Sequence, residues 1–342
     1  MVPPPPGQAP PDRSTPMTSS PPAAPRGRVS RERDSRFGDA IFMNLARGSG
    51  ILLLVVMAAI AGFLAWRSGL ALTNNNGNFL TTFEWAPDAP KPVFGIAVLA
   101  FGTIVSAIIA MAIAVPVAIG IALFISHYAP RKIAQPFAYL VDLLAAVPSI
   151  VYGLWGALFL VPHMNGLTSW LNEYLGWTYI FDQTKTGTTP RNLFTVGILL
   201  AIMILPIITA VSREVFRQVP RMHEEAALAL GATRWEMIRT AVLPFGRPGI
   251  ISASMLGLGR ALGETIAVAV VLSSNSVLSL HILDPGGGTF AQNIALKFAE
   301  AGDNGRNALM ASGLVLFVIT LLVNGAARLI VARRKEYSGA GA

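Results

Sequence analysis

In the run from Gly257 to Leu272, GLGRALGETIAVAVVL, an arginine and a glutamate stand four residues apart in otherwise apolar sequence. On an unbroken helix Arg260 and Glu264 would lie one turn apart on one face. Ionisable groups inside a membrane span cost several kcal/mol if they face lipid, so they turn toward a bundle interior or a water-filled path. Two roles fit such a pair. The guanidinium can donate two parallel hydrogen bonds to a tetrahedral oxyanion, with Glu264 holding it in place and keeping affinity low enough for release. Alternatively, the pair satisfies itself and only locks two helices together. Asp142, near the end of another apolar run, is a further ionisable candidate, with a helix cap or a bond to a neighbouring helix as its competing role.

A second constellation is EAALALGATRWEMIRTAVLP, residues 225–244. Its spacing predicts a helix, a glycine turn, a second short helix and a stop at Pro244. Glu225 and Ala226 suit a helix start, the carboxylate complementing the positive end of the dipole and the alanine admitting a close neighbour. Gly231 can take the positive φ that ends a helix, and Pro244 cannot continue the next one. A membrane protein that carries a helix-turn-helix on one face usually carries it for a partner.

The elements that must hold these residues are long and apolar. Six runs, near 49–69, 93–127, 134–162, 192–212, 246–273 and 308–331, reach the roughly 20 residues that cross a bilayer. The second would be over about 50 Å long as one helix, so it projects into solvent or bends, with Pro116 as the hinge. The third contains Pro148, and a kink is expected there too. Lys and Arg crowd the N-terminal arm, the 131–132 turn, the 213–247 loop and the C-terminal tail, while fewer lie between the other ends of the runs. By the positive-inside rule both termini and the 225–244 stretch face the cytoplasm. Residues 163–191 and 274–307 then lie outside.

Composition fits that setting. Hydrophobic residues make up 53% of the 342 and charged residues 13%, against roughly 25% charged in a soluble domain. Residues 1–48 form a separate arm, Pro- and Ser-rich and then basic, which lacks the apolar surface to fold and suits an anionic membrane surface. Its length before the first apolar run, and Trp66-Arg67 after it, argue against a cleaved signal peptide. The membrane-spanning region is 49–335, with a loop at 213–245, and 336–342 is a tail.

Other chemistries find little support. The net charge of +8 lies in tails and short loops, which is no nucleic-acid signature. Without cysteine there is no thiol nucleophile or thiolate metal site. The histidines at 127, 163, 223 and 281 lack the spacing of a metal site. Gly257, Gly259 and Gly263 are spaced GxGxxxG with no preceding strand; Gly259 and Gly263 instead form a small-xxx-small packing face, expected at a subunit interface. Gly286-Gly287-Gly288 is expected to be a flexible turn and no phosphate loop, since no Lys-Ser or Lys-Thr follows. No nucleotide-binding motif is present, and no inverted repeat or matched pair of interrupted helices is legible.

The 225–244 stretch resembles the EAA loop of ATP-binding-cassette (ABC) importer permeases, although Ala241 stands where that family often has Ile. Together with RALGET (260–265) and DLLAAVPSIVYGLWG (142–156), it resembles the permease subunits of phosphate-specific ABC importers over most of residues 49–335. The resemblance implies an all-α integral membrane protein, a type I importer bundle with six transmembrane helices. It implies docking of a cytoplasmic ATPase through Glu225, Ala226 and Gly231, and a transport path at Arg260 and Glu264, with Asp142 as a further candidate. The implied partners are a second, similar permease, two copies of the ATPase, which would bind the ATP, and an external phosphate-binding protein delivering inorganic phosphate. A permease for molybdate or sulfate, an ion-gradient-driven secondary transporter and a non-transporting scaffold remain as alternatives.

Overall fold

The computed structural model describes residues 29–184, 190–272 and 281–338, so most of the arm and the last four residues lie outside the described residues. Among the described residues, six helical segments are long and apolar enough to cross a membrane. They do not all fall where the hydropathy runs suggest.

The first helix, α1, runs unbroken over Val29–Asn74. Over 41–56 its apolar side chains are largely exposed, a surface suited to hydrocarbon. A two-residue antiparallel hairpin follows, β1 (Trp85–Ala86) against β2 (Val93–Phe94). Then comes α2, Ala97–Leu123. Pro116 lies inside α2 without ending it, and the irregular turn falls later, as a π-helical turn at Phe124–Tyr128.

Residues 134–162 do not form one span. Helix α3 (Arg131–Ala145) stops, Ala146 and Val147 leave the helix, and α4 (Ser149–Trp155) starts after Pro148. Pro148 cannot donate to the preceding turn and disfavours helix in the residue before it. Tyr152 returns across the gap, its hydroxyl donating to the Leu144 carbonyl at 2.9 Å. A second π turn, Gly156–Leu160, leads into α5 (Val161–Leu175), and the apolar segment long enough to span is Ser149–Thr178. The 163–191 region expected as a loop is thus half helix. Sequence reading misplaced this span because α3 is amphipathic, with enough apolar residues to pass for membrane helix.

Helix α6 (Leu193–Arg217) forms the centre of the core. Its start is fixed by Asn192, whose side chain accepts from Thr195 N at 2.9 Å and donates to the Leu283 carbonyl at 2.9 Å. Val196, Leu199, Leu200, Ile204 and Ile208 are fully buried. They pack with Ala110, Ala114 and Ala118 of α2, while Ala122 packs with Phe216 and Val219, all four alanines at 0% exposure. An alanine at every fourth position makes a smooth ridge, so two membrane helices approach closely without a hydrophobic drive between them.

After α6 come α7 (Arg221–Ala229), a turn, α8 (Arg234–Met237), a π turn at Ile238–Val242 and α9 (Leu243–Gly263). Pro244 does not stop the second helix as the sequence suggests. It occupies the first turn of α9, directly after the π turn, and the chain from Arg234 to Gly263 is one long span. Proline lacks only an N–H, and a local widening to i→i+5 bonding accommodates its ring.

The remaining elements are α10 (Ile266–Val271), α11 (Phe290–Lys297) and α12 (Asp303–Ser338). Gly286 and Gly287, at φ 119° and 93°, form a packed turn before α11 and not a loose one. Gly286 N donates to the Arg191 carbonyl at 3.3 Å, and Pro285 bridges to Asn192. The start of α12 is held by Asp88, which accepts from Gly302 N at 3.0 Å and Gly305 N at 2.7 Å. A carboxylate there complements the helix dipole.

Candidate functional site

Arg260 and Glu264 do not share a helical face. Helix α9 ends at Gly263, and Glu264 has an extended backbone, φ −69° and ψ 127°. Its carboxylate, only 8% exposed, accepts the Ala267 N–H at 3.1 Å and so satisfies an orphan donor in the first turn of α10. Among the described residues no ion pair joins Glu264 to Arg260. The expectation of a carboxylate holding the guanidinium is replaced by a carboxylate that holds a helix break.

Arg260 stands in the last turn of α9, where a cation meets the negative end of the helix dipole. Its Nε is buried and without a hydrogen-bond partner in this chain. The two elements that meet here are both interrupted. α4 packs on α10 so closely that a Cβ on Gly153 would lie 2.7 Å from the Ala267 Cα. Irregular backbone at membrane depth persists only where protein covers it or a cavity wets it. The contact between α4 and α10 therefore brings the helix that follows the α3–α4 break against the helix that follows the α9–α10 break, beside Glu264.

The structure adds a residue that the sequence reading placed only as an external charge. Arg191 Nη1 donates to the Val270 carbonyl at 3.3 Å, tying the far end of α10. Nothing in its sequence neighbourhood signals this contact across 79 residues. Gly257 lies against Ile208 of α6, where a Cβ would come within 2.7 Å, whereas Gly259 and Gly263 meet nothing within 4 Å in this chain.

At the opposite end from the β hairpin, α7 and α8 make the helix-turn-helix. Helix α7 starts at Arg221 after Pro220, so Glu225 and Ala226 lie within it and not at its start; Glu224 is the acid of its first turn. Gly231 takes φ 85°, the left-handed conformation expected of it, and Thr233 closes a capping box with Glu236. Glu225, Ala226 and Gly231 are exposed, alongside exposed Met222, Leu228, Leu230 and Trp235. Ala227, Met237 and Ile238 turn inward onto Phe216 and Val219 at the end of α6. Glu224 reaches His127 at the end of α2, Oε1 to Nε2 3.5 Å. Asp142, at the end of α3, pairs with Arg213 of α6 at 3.2 Å. It lies with the helix-turn-helix and not with Arg260: both acids line a cavity of about 790 Å³ there.

A multi-pass helical membrane protein with a broken, charge-bearing span and an exposed helix-turn-helix at one end is a transporter's membrane subunit in its architecture. Residues 114–336 match the family of binding-protein-dependent transport system inner membrane components, and the chain belongs to that family. It is similar, at 46% identity over 87% of this chain and 93% of the relative, to the phosphate transport system permease protein PstC 2 of Mycobacterium tuberculosis. It is 44% identical to the phosphate transport system permease protein PstC of Mycobacterium leprae, over 85% of this chain and 92% of that one. The corresponding Xylella fastidiosa (strain 9a5c) protein is 41% identical over 89% and 94%.

Proposed function

We propose that this chain is the permease subunit of an ATP-driven phosphate importer, forming half of the transmembrane path. The observation that carries the reading is Arg260, a partly buried guanidinium at a helix break, in a chain closely similar over most of its length to permeases named for phosphate transport. That similarity favours phosphate over molybdate or sulfate. Arg260 would offer its fork to two phosphate oxygens. Glu264, engaged with Ala267 N, would sit near enough to limit affinity by repulsion.

The helix-turn-helix is where a cytoplasmic ATPase would dock, with Glu225, Ala226 and Gly231 on its exposed surface beside Leu230 and Trp235. This orientation puts both termini in the cytoplasm and the β hairpin outside, in keeping with the Lys and Arg distribution. ATP would be bound and hydrolysed by two copies of that ATPase and not by this chain. The face of α9 bearing Gly259 and Gly263, open within this chain, would receive a second permease, and an external binding protein would deliver phosphate. Closure of the ATPases would pull α7 and, through the inward-facing Met237 and Ile238, the ends of α6 and α2.

The chain leaves the helix at 146–148, before the Ser149–Thr178 span, and at 264–265, after the Arg234–Gly263 span. The family membership argues against an ion-gradient-driven carrier. Uptake of labelled phosphate by cells with and without the ATPase partner tests the proposal. ATP-coupled uptake that excess molybdate and sulfate do not displace is expected. Uptake unchanged without the ATPase would refute it.

A further inference from the structure

The cavity beneath the helix-turn-helix is a second cationic site, separate from Arg260. Its walls come from α3, the end of α6, the turn after α2, and α7, and it encloses about 790 Å³, within the range of about 300–1,000 Å³ of ligand sites. Four arginines line it: Arg131, Arg213, Arg217 and Arg221. The two acids on its wall are already engaged, Asp142 with Arg213 and Glu224 with His127. Among the described residues no ion pair involves Arg131, Arg217 or Arg221.

Arg213 supplies the most specific observation. Asp142 takes only its Nη2, at 3.2 and 3.3 Å, while Nε and Nη1 are buried with no hydrogen-bond partner in the protein. Buried donors are satisfied as a rule, and those that lack a protein partner point to water or an ion. Arg213 together with the three uncommitted arginines gives the cavity a cationic wall, which selects an oxyanion with several acceptor oxygens. Gln135 adds a neutral donor on the same wall.

We propose that this cavity binds a phosphate group, either as inorganic phosphate or as the headgroup phosphate of an anionic lipid. Arg221 and Glu224 belong to α7, Arg213 and Arg217 to α6, and Arg131 to α3. An occupant therefore cross-links three elements at the end where the ATPase docks and restrains α7; this consequence, but not the binding itself, rests on the docking reading.

The test uses the full-length chain assembled with its partner subunits, without the binding protein, in nanodiscs of phosphatidylcholine alone. Arg260→Gln removes the proposed transport site from the measurement, and labelled inorganic phosphate is the probe. In that background phosphate binds, and Arg131→Gln with Arg217→Gln, both at exposed positions, weakens binding about tenfold or more. In discs containing phosphatidylglycerol, native mass spectrometry of the parent complex reads the lipid arm. Retention of phosphatidylglycerol by the parent and its loss from the double variant assigns the site to the lipid phosphate. Should the double variant fail to assemble, phosphate or phosphatidylglycerol must still shield Arg131 and Arg217 of the parent from phenylglyoxal. Equal binding of both probes by parent and double variant, or no shielding by either probe, overturns the proposal. Loss of phosphate binding on Arg260→Gln alone, with none on the double substitution, overturns it while leaving the transport-site reading intact.

Discussion

Arg260 is the residue on which transport depends in this account, and its substitutions separate charge from geometry. Arg260→Lys keeps the charge and loses the planar fork, so phosphate uptake falls sharply without vanishing. Arg260→Ala abolishes it while the complex still assembles, because no ion pair with Glu264 is broken. Initial uptake rates, with assembly checked by co-purification, distinguish these outcomes; parental uptake by Arg260→Ala would reduce the arginine to a packing residue. Glu264 calls for a different test. Glu264→Gln keeps an oxygen to accept Ala267 N and leaves the break intact, whereas Glu264→Ala loses a cap worth about 0.5–2 kcal/mol and loosens α10. Hydrogen exchange over 264–271 reads the difference, and equal protection in both variants would contradict the capping role.

At the scale of elements, the helix-turn-helix was largely legible and the breaks were not. Gly231 announced its positive φ because glycine tolerates that conformation best, and no later contact competes: nothing lies within 4 Å of where its Cβ would be. Its replacement by Ala should therefore cost only the backbone term of about 1–2 kcal/mol. Gly231→Pro adds loss of the N–H that donates to Leu228 at 3.0 Å. Gly231→Pro and Glu225→Lys should each weaken ATPase co-purification and uncouple transport with the chain still in the membrane. Undiminished association and normal uptake in both would remove the docking assignment. The α9–α10 break was hidden because RALGETIAV contains no proline and reads as helix; it is made by a buried glutamate turning back to cap the next helix. Conversely, Pro116 and Pro244 look like breakers and interrupt nothing, since neighbouring helices and a π turn accommodate them. Local sequence records which groups are missing a partner, and tertiary packing decides where the partner is found.

For the whole molecule the six spans and their polarity make a topological prediction. With no native cysteine, single replacements report cleanly. Asn76→Cys, exposed between α1 and β1, should react with an impermeant reagent added to intact cells, and Ser338→Cys should not. Labelling of position 338 from outside would invert the orientation and remove the ATPase from the helix-turn-helix. The central claim joins that orientation to the chemistry of Arg260, and reconstitution addresses it most directly. The complete complex is placed in proteoliposomes with ATP on the helix-turn-helix side and labelled phosphate with the binding protein on the other. Phosphate accumulation should require ATP and fall about 10- to 100-fold with Arg260→Gln, the loss expected of hydrogen bonds to a charged group. Accumulation driven by an ion gradient without ATP, or equal accumulation by the variant, would contradict it.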